Sequence, residues 1–239
     1  MENYENFPKT HYTTKAYLAG PEVFHKDAKE VIQAKKDLCT QFGIGPLSPL
    51  DNELPCTHSK SRLAIAIVNG NIKMIRECDF VIANLSNFRG TETHPNCDSG
   101  TAWECGYATA IGKPVLAYTN DAFVLPNEIK QSIDCCTIGD FQEALYVYIT
   151  FGCKIREKPT PTFGKTISLD PKSLQIFDAD ALGAFKLGYA YGKKENVAYT
   201  ISDKRSLITK FGQTDRNGYR FEDFDSPVNI MISVNHRLL

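Results

Sequence analysis

Apolar positions along the first 150 residues switch repeatedly between short continuous runs and a helical period. Residues 15–20 (KAYLAG) form a short apolar run ending before Pro21 and predict a strand. Residues 25–42 carry apolar side chains at 28, 31, 32, 38 and 42, with Gly43 as a stop, and predict a helix. The same reading places an extended piece at 47–50 and a helix at 61–76, with Leu63, Ile67 and Ile75 on or near one face. A strand at 80–85, a helix at 99–111, a strand at 114–118, a short strand at 137–138 and a helix at 141–149 follow. Strands alternating with helices predict a mainly parallel sheet covered on both faces. Ligands of such sheets bind beyond the carboxyl ends of the strands. Glu22, Asp51, Asn84 and Asp98 each follow a predicted strand, so polar groups converge on one rim.

Residues 78–107 concentrate the candidate chemistry. An apolar run leads into a polar loop with His94, Asn96 and Asp98, and then into the helix at 99–111. From Ser99 to Gly112 the only charged residue is Glu104, set among Ala102, Trp103, Cys105, Tyr107, Ala108 and Ile111. A carboxylate in apolar surroundings is costly to bury without partners, and such groups concentrate at working sites. The alternative is a glutamate on a wet edge of the helix.

Composition narrows the setting. The chain has 239 residues, 27 basic against 28 acidic, for a net charge of −1. That balance gives no basic surplus for nucleic acid. No apolar run approaches the ~18 residues of a membrane span, and residues 1–15 lack a signal-peptide core, so a cytoplasmic protein is expected. Eight cysteines, at 39, 56, 78, 97, 105, 135, 136 and 153, make no CxxC and read as reduced, mostly buried thiols, with no metal expected.

Residues 154–166 (KIREKPTPTFGKT) read as a linker, dividing a domain at 11–153 from a C-terminal α/β extension at 167–239. The extension partly echoes the first part. DADALGAFKLGYAYGKKENVAYT (178–200) resembles DSGTAWECGYATAIGKPVLAYT (98–119) at a constant offset of 82 residues, which pairs Asp98 with Asp180 and Tyr107 with Tyr189. Glu104 is paired with Lys186, so the second copy lacks the carboxylate.

Five ordered blocks, AYLAGPEVF (16–24), SPLDNEL (48–54), NGNIKMIRECDFVIANLSNFRG (69–90), DSGTAWECGYA (98–108) and GKPVLAY (112–118), resemble the nucleoside 2-deoxyribosyltransferase family. EDFDSPVNIMI (222–232) is similar to a later loop of that family, of the form P-x-N-L-M. The resemblance implies a flavodoxin-like, Rossmann-like α/β sheet, a homo-oligomer without cofactor, and exchange of the base of 2′-deoxynucleosides against free purines or pyrimidines. It further implies Glu104 as a nucleophile that captures the 2-deoxyribosyl group. Tyr17 would orient that carboxylate, and Asp79 and Asp98 would act at sugar and base. Phe24 would lie against the base, with Gly20 and Glu53 in the binding segment. Asn229 and Met231 would complete the site, as residues usually lent by a neighbouring subunit. Glu53 departs from the family, many of whose members have Gln there.

Elementary chemistry fits these roles. N-glycoside cleavage passes through an oxocarbenium-like state that a carboxylate can capture covalently, and two inversions give net retention. Structural alternatives stand beside each role: Asp98 as a helix N-cap, Asp79 as a turn residue, Tyr17 as core, Asn229 as a turn. Hydrolysis of a nucleoside or nucleotide and non-catalytic nucleoside binding are the competing functions. The long segment between GKPVLAY and PVNIM suggests a degenerate internal duplication, one half keeping the nucleophile and the other the completing loop.

Overall fold

The computed structural model describes residues 14–88, 96–120, 125–151, 173–176, 181–201, 224, 226 and 229–236. The linker at 154–166, His94, Asp180 and Pro227 lie outside the described residues. The first half alternates β1 (Thr14–Ala19), α1 (Ala28–Gln41), β2 (Ile44–Leu47), α2 (Lys60–Glu77), β3 (Phe80–Asn84), α3 (Ser99–Ala110), β4 (Val115–Thr119), the short α4 (Asn127–Lys130), β5 (Cys135–Ile138) and α5 (Phe141–Phe151). The second half contributes β6 (Ser173–Ile176), α6 (Ala181–Gly192), β7 (Ala198–Ile201) and α7 (Ile230–Ser233).

All five strands of the first sheet are parallel, in the order β2-β1-β3-β4-β5. This is the flavodoxin-like order, whose switch point falls between β1 and β3. Alternation along the strands separates two cores. Ala16, Leu18, Phe80, Ile82, Leu116 and Tyr118 face one layer, which includes Phe141 and Leu145 of α5. Tyr17, Ala19, Val81, Ala83, Val115 and Ala117 face the other, with α2 and α3. The second layer's strand residues are short except for Tyr17, which leaves room for the α3 side chains.

Two predicted elements shift. The extended piece expected at 47–50 lies at Ile44–Leu47, because Ser48 accepts from the Leu50 N–H and Pro49 starts a 3-10 turn (Pro49–Asp51). Asp51 closes that turn through the Ser48 N–H (2.9 Å) and pairs with Lys36. The α2 stripe is also rotated from the expected one. Ala64, Val68, Asn71, Ile72, Met74 and Ile75 are its buried positions, while Leu63 and Ile67 are only partly covered.

α3 is buried nearly all round, as its apolar circumference requires. One side meets the sheet and the other meets α6, so Trp103 and Tyr107 share a core with Phe185, Leu187 and Tyr189 of the second half. Trp103 Nε1–H donates to His236 Nε2 (3.0 Å), and His236 Nδ1 lies 3.1 Å from the Val197 carbonyl oxygen. Burial pushes the His236 imidazole down to about 4, so it is neutral at pH 7 and accepts from Trp103.

The ends of α3 and α6 differ in one instructive residue. Gly112 takes φ 78° after α3, whereas Lys194 takes φ 61° at the same place after α6. A left-handed C-terminal residue favours glycine, which has no Cβ to clash. Lys194→Gly is expected to stabilise the protein by about 0.5–1 kcal/mol, the relief of strain exceeding the entropy gained by the unfolded chain. Thermal melting should rise by roughly 2–4 °C per kcal/mol; an unchanged or lower melting temperature would count against the argument.

Candidate active site

The site gathers where α2 and α3 lie over β1, at the switch point of the sheet. Glu104 is 4% exposed, and its Oε1 accepts from the Tyr17 hydroxyl (2.7 Å) and from Asn71 Nδ2 (3.2 Å). Tyr17 reaches it from β1, and Asn71 from the buried stripe of α2. Asn71 is held in turn, because Asn52 Nδ2 donates to its Oδ1 (2.7 Å) and to the Pro49 carbonyl oxygen (2.9 Å). That second bond fixes which end of the Asn71 amide faces the carboxylate.

Asp98 caps α3: its Oδ2 accepts from the Thr101 N–H (2.7 Å) and the Thr101 hydroxyl (2.8 Å). The cap role and a place beside Glu104 are therefore compatible. Asn229 and Met231, far along the sequence, arrive from the same chain. A Cβ on Gly100 would lie 2.9 Å from Asn229 Cγ, so that side chain packs on the first turn of α3. Met231 is buried, with its sulfur 3.8 Å from Asn71 Nδ2. Asn229 also caps α7, accepting from the Met231 N–H (2.9 Å).

Burial dominates the electrostatics. It pushes the Glu104 carboxyl up to about 8 and the Asp98 charge adds to the rise, while the hydrogen bonds from Tyr17 and Asn71 oppose it. Tyr17 is raised well above its usual range, mainly by burial and then by the Glu104 charge, so it remains the donor of the pair. A carboxylate on a helix flank, held by two donors on one oxygen, is equipped to attack or to stabilise a cationic carbon.

Other expected positions divide. Asp79 does not belong to this constellation. It is exposed at the amino end of β3, away from the carboxyl rim, where its Oδ2 accepts from the Lys15 N–H (2.7 Å) and its own N–H donates to the Lys15 carbonyl (2.8 Å). It ties β1 to β3, and Asn71 occupies the place beside Glu104. Glu53 is also exposed; its neighbour Asn52 is the side chain that turns inward. Phe24 follows β1 and stacks on Phe88, centroids 5.5 Å apart. Gly20 lies close to Glu22 and Asn84, and a Cβ there would meet the Glu22 carboxylate. Glu22 accepts from Asn84 Nδ2 (2.6 Å) and pairs with Lys35, so the expected meeting of Glu22 and Asn84 on the rim holds, while Asp51 turns aside to Lys36.

The Nucleoside 2-deoxyribosyltransferase family model matches residues 16–160. The chain belongs to the nucleoside 2-deoxyribosyltransferase family. Its match thus includes β1, α2 and α3 with Tyr17, Asn71 and Glu104, and stops before the segment that bears Asn229 and Met231. Among curated relatives, the uncharacterized protein C191.05c of Schizosaccharomyces pombe is 30% identical over 122 residues, 50% of this chain. The matched part spans 56% of that protein's length. Among solved structures, a 2-deoxyribosyltransferase from Bacillus psychrosaccharolyticus is 23% identical, with a TM-score of 0.44, over 54% of this chain and 89% of that one. A second, from Leishmania mexicana, is 30% identical, with a TM-score of 0.43, over 57% of this chain and 97% of that one.

The hydrogen bond between Tyr17 and Glu104 carries a prediction for this family member. Tyr17→Phe removes the larger influence that lowers the Glu104 pKa, so ionisation should move further to the alkaline side. For any reaction that needs the Glu104 carboxylate, the acid limb of kcat/KM should shift to higher pH, with a larger loss at pH 7 than at pH 9. An equal loss at both pH values would show that Tyr17 does not tune this carboxyl.

Proposed function

We propose that this chain transfers the 2-deoxyribosyl group of a 2′-deoxynucleoside from one nucleobase to another through a covalent intermediate on Glu104. The observation that carries the reading is the buried Glu104 carboxyl, held on one oxygen by Tyr17 and Asn71. In the first step the C1′–N bond breaks and a C1′–O bond to Glu104 forms, the departing base taking up a proton. In the second, the incoming base attacks C1′, the ester bond breaks, and that base gives up its N–H proton. Exchange is then proton-neutral, and two inversions give net retention.

Tyr17 and Asn71 orient the attacking oxygen, so less of the barrier is spent on alignment. Asp98 and Asn229 offer short polar side chains to the sugar hydroxyls beside α3, Met231 closes the apolar side, and Phe24 offers its ring to the base. Asp79 has no part in this reading.

Incubation with a 2′-deoxynucleoside, with and without a second free base, tests the proposal by chromatography of the products. A new deoxynucleoside is the expected result. Free base alone would assign hydrolysis, and no change with a range of substrates would sink the enzyme reading. With a slow 2-fluoro-2′-deoxy substrate, rapid quenching and mass spectrometry should place a sugar adduct on the peptide carrying Glu104. A 2′-hydroxyl would crowd the attacking carboxylate and disfavour the oxocarbenium-like state. Deoxynucleosides should therefore outpace ribonucleosides by at least about tenfold, ~1.4 kcal/mol in the barrier; equal rates would count against attack by Glu104 from beneath the ring.

A further inference from the structure

The second half repeats the first in backbone detail that the sequence only hints at. At the end of α3, the N–H groups of Ile111, Gly112 and Lys113 donate to the carbonyls of Tyr107, Thr109 and Ala108. At the end of α6, those of Lys193, Lys194 and Glu195 donate to Tyr189, Tyr191 and Ala190, the same three bonds 82 residues on. Gly112 and Lys194 share the left-handed conformation at matching positions. β6 and β7 pair in parallel with α6 between them in sequence, as β3 and β4 do with α3.

The short helices match as well, 103 residues apart. In α4, Lys130, Gln131, Ser132 and Ile133 donate their N–H groups to Pro126, Asn127, Ile129 and Ile129. In α7, Ser233, Val234, Asn235 and His236 donate to Asn229, Ile230, Ile232 and Ile232. Side chains agree too: the Ser132 hydroxyl donates to the Glu128 carbonyl, and Asn235 Nδ2 to the Met231 carbonyl.

The two copies meet reciprocally. A Cβ on Gly106 would strike the Phe185 carbonyl oxygen, and a Cβ on Gly188 would strike the Trp103 carbonyl oxygen. Under the offset of 82, Gly106 corresponds to Gly188 and Trp103 to Phe185, so the two contacts are one contact seen from each side. α7 packs on α3, and α4 packs on α6. Reciprocity of this kind is the signature of a twofold, isologous interface.

We propose that the second half is a degenerate copy of the β3–α3–β4–α4 unit, docked about a pseudo-twofold axis in the place of a second subunit, so that one chain builds one complete site and one defunct counterpart. The complete site has Glu104 on α3 and Asn229 and Met231 on α7. The counterpart has Lys186 in the place of Glu104, and Pro126 and Glu128 of α4 in the places of Asn229 and Met231. Both chemical groups are lost on one side and kept on the other. Calling the counterpart defunct rests on the proposed role of Glu104; the docking does not.

A cysteine pair tests the docking without any activity. Gly100→Cys with Asn229→Cys, in a full-length Cys56→Ser chain, brings two thiols within disulfide reach. After oxidation, non-reducing electrophoresis should show a single chain of 26.7 kDa, with peptides 100 and 229 joined. A covalent dimer joined through positions 100 and 229 would show that another chain supplies the loop, and absence of the bond in the folded protein would show that α7 does not lie on α3; either overturns the proposal. If that pair prevents folding, hydrogen exchange of the wild-type chain asks the same question: protection of α3 and α7 should not change on dilution, and loss of α7 protection on dilution would overturn the proposal. Lys186→Ala should leave the transfer rate within twofold, and a tenfold loss would overturn the defunct counterpart. A wild-type protein without transferase or hydrolase activity would sink the proposed function while leaving the cross-link result standing.

Discussion

Glu104→Gln is expected to abolish turnover and to make the protein more stable, most of all at alkaline pH. An amide keeps the volume and can accept from Tyr17 and Asn71, but it is a far weaker nucleophile. The rate should fall at least ~10³-fold, about 4 kcal/mol or more in the barrier. The stability gain follows from linkage. The folded protein holds the Glu104 proton to about pH 8, against an ordinary value of 4.5. Stability tied to that proton is fully present below pH 4.5 and is lost as pH rises towards 8. Glutamine has no proton to lose, so the melting-temperature difference between variant and wild type should widen over that window and then level off. Its limit is roughly 3–5 kcal/mol, an upper bound for a group this deeply buried. Melts at pH 5, 7 and 9 with single-turnover assays check both halves. An active variant would remove Glu104 from the nucleophile role, and a pH-independent gap would remove it as the buried titrating group.

Gly188→Val is expected to cost about 3 kcal/mol or more and to inactivate the protein, although Gly188 lies outside the family match and outside the site. A side chain there runs into the Trp103 carbonyl oxygen, a backbone atom that cannot swing away. Relief requires α6 to lift from α3, the helix that carries Glu104 and receives α7. Trp103, Phe185 and Leu187, all fully buried, would then meet water, and Asn229 and Met231 would leave the site. Gly106→Val should do equal harm from the other side of the contact. Thermal melts and assays of the two variants check this; a fully active Gly188→Val protein with wild-type stability would mean the helices do not pack at these glycines.

Much of the candidate site's arrangement was legible because its signals are local. Glu104 stands alone on an apolar helix, and every turn of that helix is buried. Asp98 precedes the helix as an N-cap residue, a role fixed by the three residues that follow it. Tyr17 lies on a strand whose alternation places it on the α3 face. Asn71 was missed, yet its signal was present. It lies 7 residues after Ala64, 3 after Val68 and 4 before Ile75, on the apolar stripe of α2, while Asn69 points outward. Asp79 entered the expected site through the resemblance alone, which does not say which end of its strand it occupies. A carboxylate just before β3 lies on the rim opposite Asn84, which ends that strand.

Most strands and helices of the first half, the family, and Glu104 as the lone charge of α3 are readable from residues close together in the chain or from ordered blocks. The sequence also carried the echo between residues 98–119 and 178–200. What local patterns in the chain do not carry is that α6 packs on α3, that Asn229 lies on the first turn of α3 and Met231 beside Asn71, and that Asn71 rather than Asp79 stands beside Glu104. Those facts depend on which helix faces which across 33 to 160 residues of chain. The packing of the two halves is settled by two glycines that let backbones approach and by the burial of Trp103, Phe185 and Leu187 between them. Contacts of that range leave no period in a sequence, because complementary surfaces specify them and spacing along the chain does not.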